Sequence, residues 1–221
     1  MLESQHQSDR EGECSVSLPQ PQLLCAPEEY LAFERAAFER HEWLDGTIYA
    51  MAGESPQHSL ICSNANASLN LQLRGKTCAV YSPNMKVYSR LPSDVGLKGL
   101  FSYPDCTVVC GEPQFHDKYR DVIINPRVVI EVLSQTTERY DRGKKFLRYQ
   151  QNSSMTDYVM IAQAYPSIEH YVRQADGNWL YSVTTESTAS LALESIECGL
   201  PLAEVYDRII FPAMFEEDLP G

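Results

Sequence analysis

The chain has 221 residues, 43% hydrophobic and 22% charged, enough for one domain with a sizeable core and ordinary for a globular protein. Thirty acidic against eighteen basic residues, a net charge of −12, argue against a general polyanion binder, which is basic as a rule. No apolar run approaches the roughly 18–20 residues that span a bilayer, and the N-terminus lacks the regions of a secretory signal, so no membrane association and a cytoplasmic location are expected.

Residues 1–23 read as a polar, disordered tail and 214–221 as an acidic one, leaving 24–213 as the folded domain. From Ala26 a helix is predicted. Pro27 suits its first turn, Glu28 and Glu29 suit the positive end of its dipole, and Tyr30, Leu31, Phe33, Ala37 and Phe38 form an apolar stripe. Glu42 to Met51 reads as a β-hairpin turning at Asp45-Gly46. His58 opens a second helix running to about Leu73 and ended by Gly75. Short strands follow at Cys78 to Tyr81 and Met85 to Tyr88, then a Pro/Gly/Ser loop from Leu91 to Gly99. The next strand is entered through Pro104-Asp105 and ends at Gly111.

Val128 to Leu133 is a continuous apolar, β-branched strand, and Ser134-Gln-Thr-Thr leads from it into a helix reaching about Gln151. Asp157 to Ala162 makes a further strand. Ser167 to Arg173 and Asn178 to Thr184 form a hairpin, and two segments, Leu191 to Leu202 and Val205 to Phe211, complete the domain. The expected class is α+β: a mixed central sheet flanked by helices, with additional β-hairpins. The seven cysteines contain no Cys-x-x-Cys pair and no zinc-ligand spacing, so they read as reduced, buried thiols.

One residue conflicts with its surroundings. Glu131 sits among Val129, Ile130, Val132 and Leu133. An unpaired buried carboxylate costs several kcal/mol or takes up a proton, so the fold must supply an arginine, a lysine, a second acid or a metal ion. The helix that follows carries Asp141, Lys145 and Tyr149 on one stripe at four-residue spacing. A structural ion pair would satisfy the same pattern. If the strands of Asp105 and Glu131 are neighbours, the two acids converge, and a hard divalent cation relieves their repulsion. Asp, Glu and Lys together are a minimal kit for metal-assisted phosphodiester cleavage.

Pro104-Asp105, Glu131-Val-Leu-Ser and Asp141-Arg-Gly-Lys-Lys with Tyr149 resemble, in this order, the Uma-two family of restriction-endonuclease-like proteins in the PD-(D/E)XK nuclease superfamily. Glu42-Trp-Leu-Asp-Gly, Met51, His58 and Tyr158-Val-Met-Ile extend the resemblance from about Leu24 to Phe211. It implies a restriction-endonuclease-like fold, cleavage of DNA, and a homodimer by analogy. It also implies that Asp105, Glu131 and the main-chain carbonyl of Val132 bind Mg²⁺ or Mn²⁺. The superfamily's lysine lies two residues after the second acid, where this chain has Leu133, and the family's lysine maps onto Lys145. Glu42 resembles an accessory acid, and His58 and Asp141 are candidate site-lining residues. Arg139 and Arg142 are either phosphate contacts or a solvated helix face. The alternative to a nuclease is an inactive nuclease-fold domain that binds nucleic acid or serves in assembly.

Overall fold

The computed structural model describes residues 24–51, 53–90, 93 and 96–211. The tails expected at 1–23 and 214–221 lie outside the described residues, as does part of the loop expected from Leu91 to Gly99. The chain order is α1 (Pro27–Ala36), β1 (His41–Leu44), β2 (Thr47–Ala50), α2 (Pro56–Gln72), β3 (Cys78–Tyr81), β4 (Lys86–Ser89), β5 (Leu100–Ser102), β6 (Cys106–Cys110), β7 (Val122–Ile123) and β8 (Val128–Leu133). Next comes one continuous helical stretch: α3 (Glu138–Tyr140), a π-helical turn (Asp141–Lys145) and α4 (Phe146–Tyr149). β9 (Asp157–Ala162), β10 (Ile168–Arg173), β11 (Trp179–Thr184), β12 (Ser190–Leu193), β13 (Cys198–Pro201) and α5 (Leu202–Val205) complete it.

Three sheets result. The largest runs β11-β10-β9-β8-β6-β3, a second runs β2-β1-β5-β4-β7, and β12 pairs with β13. Only β8–β9 is parallel in the largest sheet, and the α3–α4 stretch is the crossover that a parallel pair requires. β8 is buried along its whole length, as a parallel strand covered on both faces should be. Its alternation separates two cores. Val128, Ile130 and Val132 pack with Ile61, Ala65 and Leu69 of α2, while Val129 and Leu133 pack with Phe146 and Tyr149 of α4. Glu131 has the parity of Val129 and Leu133, so its side chain projects toward the α3–α4 crossover.

The register of β6 against β8 brings the two acids together. Cys106 lies opposite Ile130 in an antiparallel ladder, and one further step along it sets Asp105 beside Glu131.

Several sequence expectations shift. α1 stops at Ala36 because Ala37 is already extended (ψ 147°), and the chain turns so that Tyr30 Oη donates to His41 O at 2.6 Å. Phe38 is therefore fully exposed rather than part of an apolar stripe. α2 begins at Pro56, not His58, because Ser55 caps it by accepting the His58 N–H. β4 begins one residue late, and β5 and β7, both paired in the second sheet, were not expected. The cysteine reading is also corrected. Cys78 and Cys110 are direct cross-strand partners on β3 and β6 and form a disulfide. Cys62, Cys106 and Cys198 are buried and unbonded, and Cys25 is half-buried. Among the described residues no helix is long and apolar enough to cross a membrane.

Candidate active site

At the C-terminal end of β8 the sheet opens into a cavity of about 610 Å³, whose walls include Glu42, His58, Asp105, Glu131, Val132, Tyr140, Asp141 and Lys145. Four separate places in the chain supply the acids and the lysine around its floor, and Glu54, just before α2, adds a further acid at the wall. β1 brings Glu42, the residue before β6 is Asp105, β8 brings Glu131, and the π-turn brings Asp141 and Lys145.

Lys145 is the centre of this arrangement. Its side chain is only 6% exposed, and Nζ lies 2.9 Å from Glu42 Oε1, 2.9 Å from Glu131 Oε1 and 3.5 Å from Asp141 Oδ1. Burial works against the ammonium, but Glu131, Glu42 and Asp141 outweigh it and hold the lysine well above its ordinary pKa. One ammonium thus faces three buried carboxylates. The crowding bears on Glu131, whose pKa is pushed well up by burial and by Asp141, Asp105 and Glu42 against the opposing pull of Lys145.

The same carboxylate is fixed in place. Tyr149 Oη donates to Glu131 Oε1 at 2.8 Å and lies 2.8 Å from Ser102 Oγ. Both hydrogen-bonding contacts of Glu131 among the described residues thus fall on Oε1. Glu42 is held from the opposite sheet, where its Oε1 accepts the Tyr103 N–H at 3.1 Å.

Asp105 has a different environment. Its Oδ2 accepts the Val132 N–H at 2.7 Å and lies 3.4 Å from His58 Nε2. That same nitrogen is 3.0 Å from Val132 O. Burial alone would lower the His58 pKa, but the Asp105 carboxylate, with help from Glu54, more than offsets this and raises it. His58, Cys62 and Asp105 form a group whose candidate ligand atoms lie within 4.8 Å of one another.

Seven of the candidate residues, Glu42, His58, Asp105, Glu131, Val132, Asp141 and Lys145, therefore line one cavity. The two arginines do not join them. Arg142 is occupied by Glu138 at 2.8 Å and by Glu169 at 2.5 Å, and Arg139 is exposed outside the lining. Lys144, the neighbour of Lys145, also points to solvent. Sequence reasoning missed Tyr140, whose hydroxyl is buried without a hydrogen-bond partner among the described residues and whose ring lies 5.9 Å from Lys145 Nζ. It is five residues before Lys145, a spacing that shares a face in a π-turn but not in an α-helix. The support Ser102 carried no sequence signal, because its strand β5 was not expected, and Tyr103, which follows that strand, acts through its main-chain N–H.

Comparison with known proteins adds the context of a family. Residues 27–203 match the Uma2 family, described as "Putative restriction endonuclease". Two proteins of Synechocystis sp. (strain ATCC 27184 / PCC 6803 / Kazusa) are similar along most of their length. The uncharacterized protein slr1290 is 34% identical over 197 residues, 89% of this chain and 98% of its own. The uncharacterized protein sll1609 is 29% identical over 152 residues, 69% of this chain and 82% of its own. A crystal structure of "a putative nuclease belonging to DUF820" from Anabaena variabilis ATCC 29413 superposes with a TM-score of 0.66 at 15% identity. That likeness spans 83% of this chain and 98% of the other, and it is a likeness of fold. With the family match running from α1 into α5 and around every charged residue of the cavity, the chain belongs to the Uma2 family of restriction-endonuclease-like proteins.

Proposed function

We propose that the chain is a metal-dependent endonuclease that hydrolyses phosphodiester bonds of DNA. In this reading Asp105, Glu131 and the main-chain carbonyl of Val132 hold Mg²⁺ or Mn²⁺, and Lys145 is the catalytic amine. The observation that carries the reading is the charge imbalance of the cavity: Glu42, Glu131 and Asp141 share one ammonium, with Asp105 on the same wall. A site built only for stability would balance its charges or replace them by apolar groups. The donors also fit the ion, being carboxylate and carbonyl oxygens of the kind hard divalent cations take. A bound ion of this kind lowers the pKa of a water and offsets charge on a phosphoryl oxygen.

The chain's own groups divide the remaining work. Lys145 is held as an ammonium, so it orients the attacking water and faces the scissile phosphate as a hydrogen-bond donor; it is not the general base. Tyr149 fixes the rotamer of Glu131, and Glu42 anchors Lys145 from the other sheet. The Tyr140 hydroxyl, without a partner among the described residues, supplies a further donor to the substrate.

The test is nicking of supercoiled plasmid by the wild type and by Glu131→Gln, with Mg²⁺ or Mn²⁺ and with a chelator. Nicking that needs the ion and disappears in the variant is expected. Equal nicking by both proteins would remove the assignment. Matched RNA in the same assay decides the substrate, since preferred cleavage of RNA contradicts the DNA reading. A second reading, a non-cleaving domain that binds nucleic acid, is favoured by Leu133 at the superfamily's lysine position and by the saturation of Lys145 with carboxylates. It predicts DNA retention in a gel-shift assay without nicking under any ion.

A further inference from the structure

We infer that His58 is a ligand of the same ion, so that the centre takes a borderline first-row ion of the Co²⁺ or Zn²⁺ kind ahead of Mg²⁺. This inference rests on the metal reading proposed above. His58 stands in the first turn of α2, where Ser55 accepts its main-chain N–H, and that cap sets where the ring can reach. From there Nε2 lies 3.0 Å from Val132 O and 3.4 Å from Asp105 Oδ2. Two donors each about 2.1 Å from one ion are about 3.0 Å apart at a right angle and about 3.4 Å apart at the tetrahedral angle. The imidazole nitrogen thus already holds, toward both oxygens, the separation of atoms that share an ion.

The other ring nitrogen supports the same arrangement. Nδ1 faces Cys62 Sγ at 3.5 Å and the Glu54 carboxylate at 3.9 Å. With an ion bound at Nε2 the ring proton would move to Nδ1, where the Glu54 carboxylate is the acid on that side. With no ion bound, an Nε2–H can donate to these two oxygens; a bound cation would take the place of that proton between the same three atoms. Cys62 belongs to the same candidate ligand group; its sulfur lies 3.5 Å from Nδ1, the ring nitrogen turned away from Val132 O. An imidazole donor suits Co²⁺ and Zn²⁺, whereas Mg²⁺ prefers oxygen and retains its waters.

Calorimetry with CoCl₂ and MgCl₂ on the full chain, its Asp105→Asn variant and its His58→Ala variant tests this. The wild type is expected to bind Co²⁺ at least about tenfold more tightly than Mg²⁺. His58→Ala should lose about ten- to a hundredfold in Co²⁺ affinity while Mg²⁺ affinity stays nearly constant. Pulsed electron resonance of the Mn²⁺-loaded wild type should show ¹⁴N modulation from a bound imidazole, a readout that stands even if the alanine variant does not fold. Bound Mn²⁺ without ¹⁴N modulation, or equal losses for both ions in His58→Ala, would overturn the inference. If Asp105→Asn abolishes binding and His58→Ala leaves both affinities unchanged, only the histidine ligand is lost and the metal reading survives. A wild type that binds none of the three ions ends both.

Discussion

Two clusters of charge sit at different places in this fold, and their balance differs. At the edge of the second sheet, Arg35 of α1 contacts Asp117 and Asp121 at 2.7 Å each, and Lys86 of β4 contacts Asp121 at 3.0 Å. Two cations meet two carboxylates there, and the arginine and both acids remain partly in solvent, 24–31% exposed. In the cavity, one ammonium meets three carboxylates, all less than a tenth exposed. The balanced cluster ties α1 and the 117–121 loop to β4 and needs no other explanation. The unbalanced one is unfavourable as it stands, because a buried charge without its own partner destabilises the fold. In the function proposed above, the charge left unbalanced in the cavity is the charge that an ion and a substrate would meet.

The largest effect should come from removing the single buried cation. Lys145→Met leaves three carboxylates without an ammonium, and breaking a buried pair from one side costs about 3–5 kcal/mol. A denaturant titration should show that loss, with nicking abolished in the same protein. An unchanged midpoint would mean that the carboxylates are balanced in some other way.

Glu131→Gln should separate activity from stability. The amide still accepts from Tyr149, and Lys145 keeps Glu42 and Asp141, so the unfolding midpoint should move by no more than about 1 kcal/mol. Nicking should fall at least about a hundredfold, the scale of the several kcal/mol that a held ion contributes at a phosphoryl transition state. A stable variant with full activity would turn the imbalance of the cavity into an accident of packing. Tyr149→Phe should be milder. It removes the 2.8 Å bond to Glu131 and leaves Ser102 Oγ facing a ring edge, for about 1 kcal/mol of stability and a partial loss of nicking.

How much of the molecule is legible in the sequence depends on the range of each contact. An acid inside a β-branched strand is a local anomaly, so Glu131 stands out from its immediate neighbours in the chain, and the four-residue stripe of Asp141, Lys145 and Tyr149 stands out with it. The neighbour relation of Asp105 and Glu131 follows from the tendency of successive strands to pair. The π-turn is not legible, because no local propensity marks a five-residue repeat, and Tyr140 is missed with it. Contacts across long separations are equally silent. Glu42 reaches Lys145 from 103 positions away and His58 reaches Val132 from 74, and only the resemblance to a family points to either residue. The Cys78–Cys110 bond spans 32 positions and becomes visible only when the β3–β6 register is known.

The smallest effect should lie in the balanced cluster, and it carries a sign in pH. Burial raises the Asp121 carboxyl, but the hydrogen bonds from Arg35 and Lys86 outweigh it and hold the pKa down to about 2. A carboxylate depressed on folding binds fewer protons in the native state than in the unfolded one. Its contribution is therefore complete above the unfolded value of about 4, and it is lost as pH falls from there through about 2. Because the group is partly solvated, its worth at neutral pH is about 0.2–1 kcal/mol. Asp121→Asn should lower the neutral unfolding midpoint by that amount and flatten the acid limb of the stability profile, with nicking unchanged. A variant that keeps the wild-type acid limb would show that Asp121 has no native-state pairing. A variant that loses nicking would couple this edge of the sheet to the cavity, and the contrast between a structural cluster and a functional one would no longer hold.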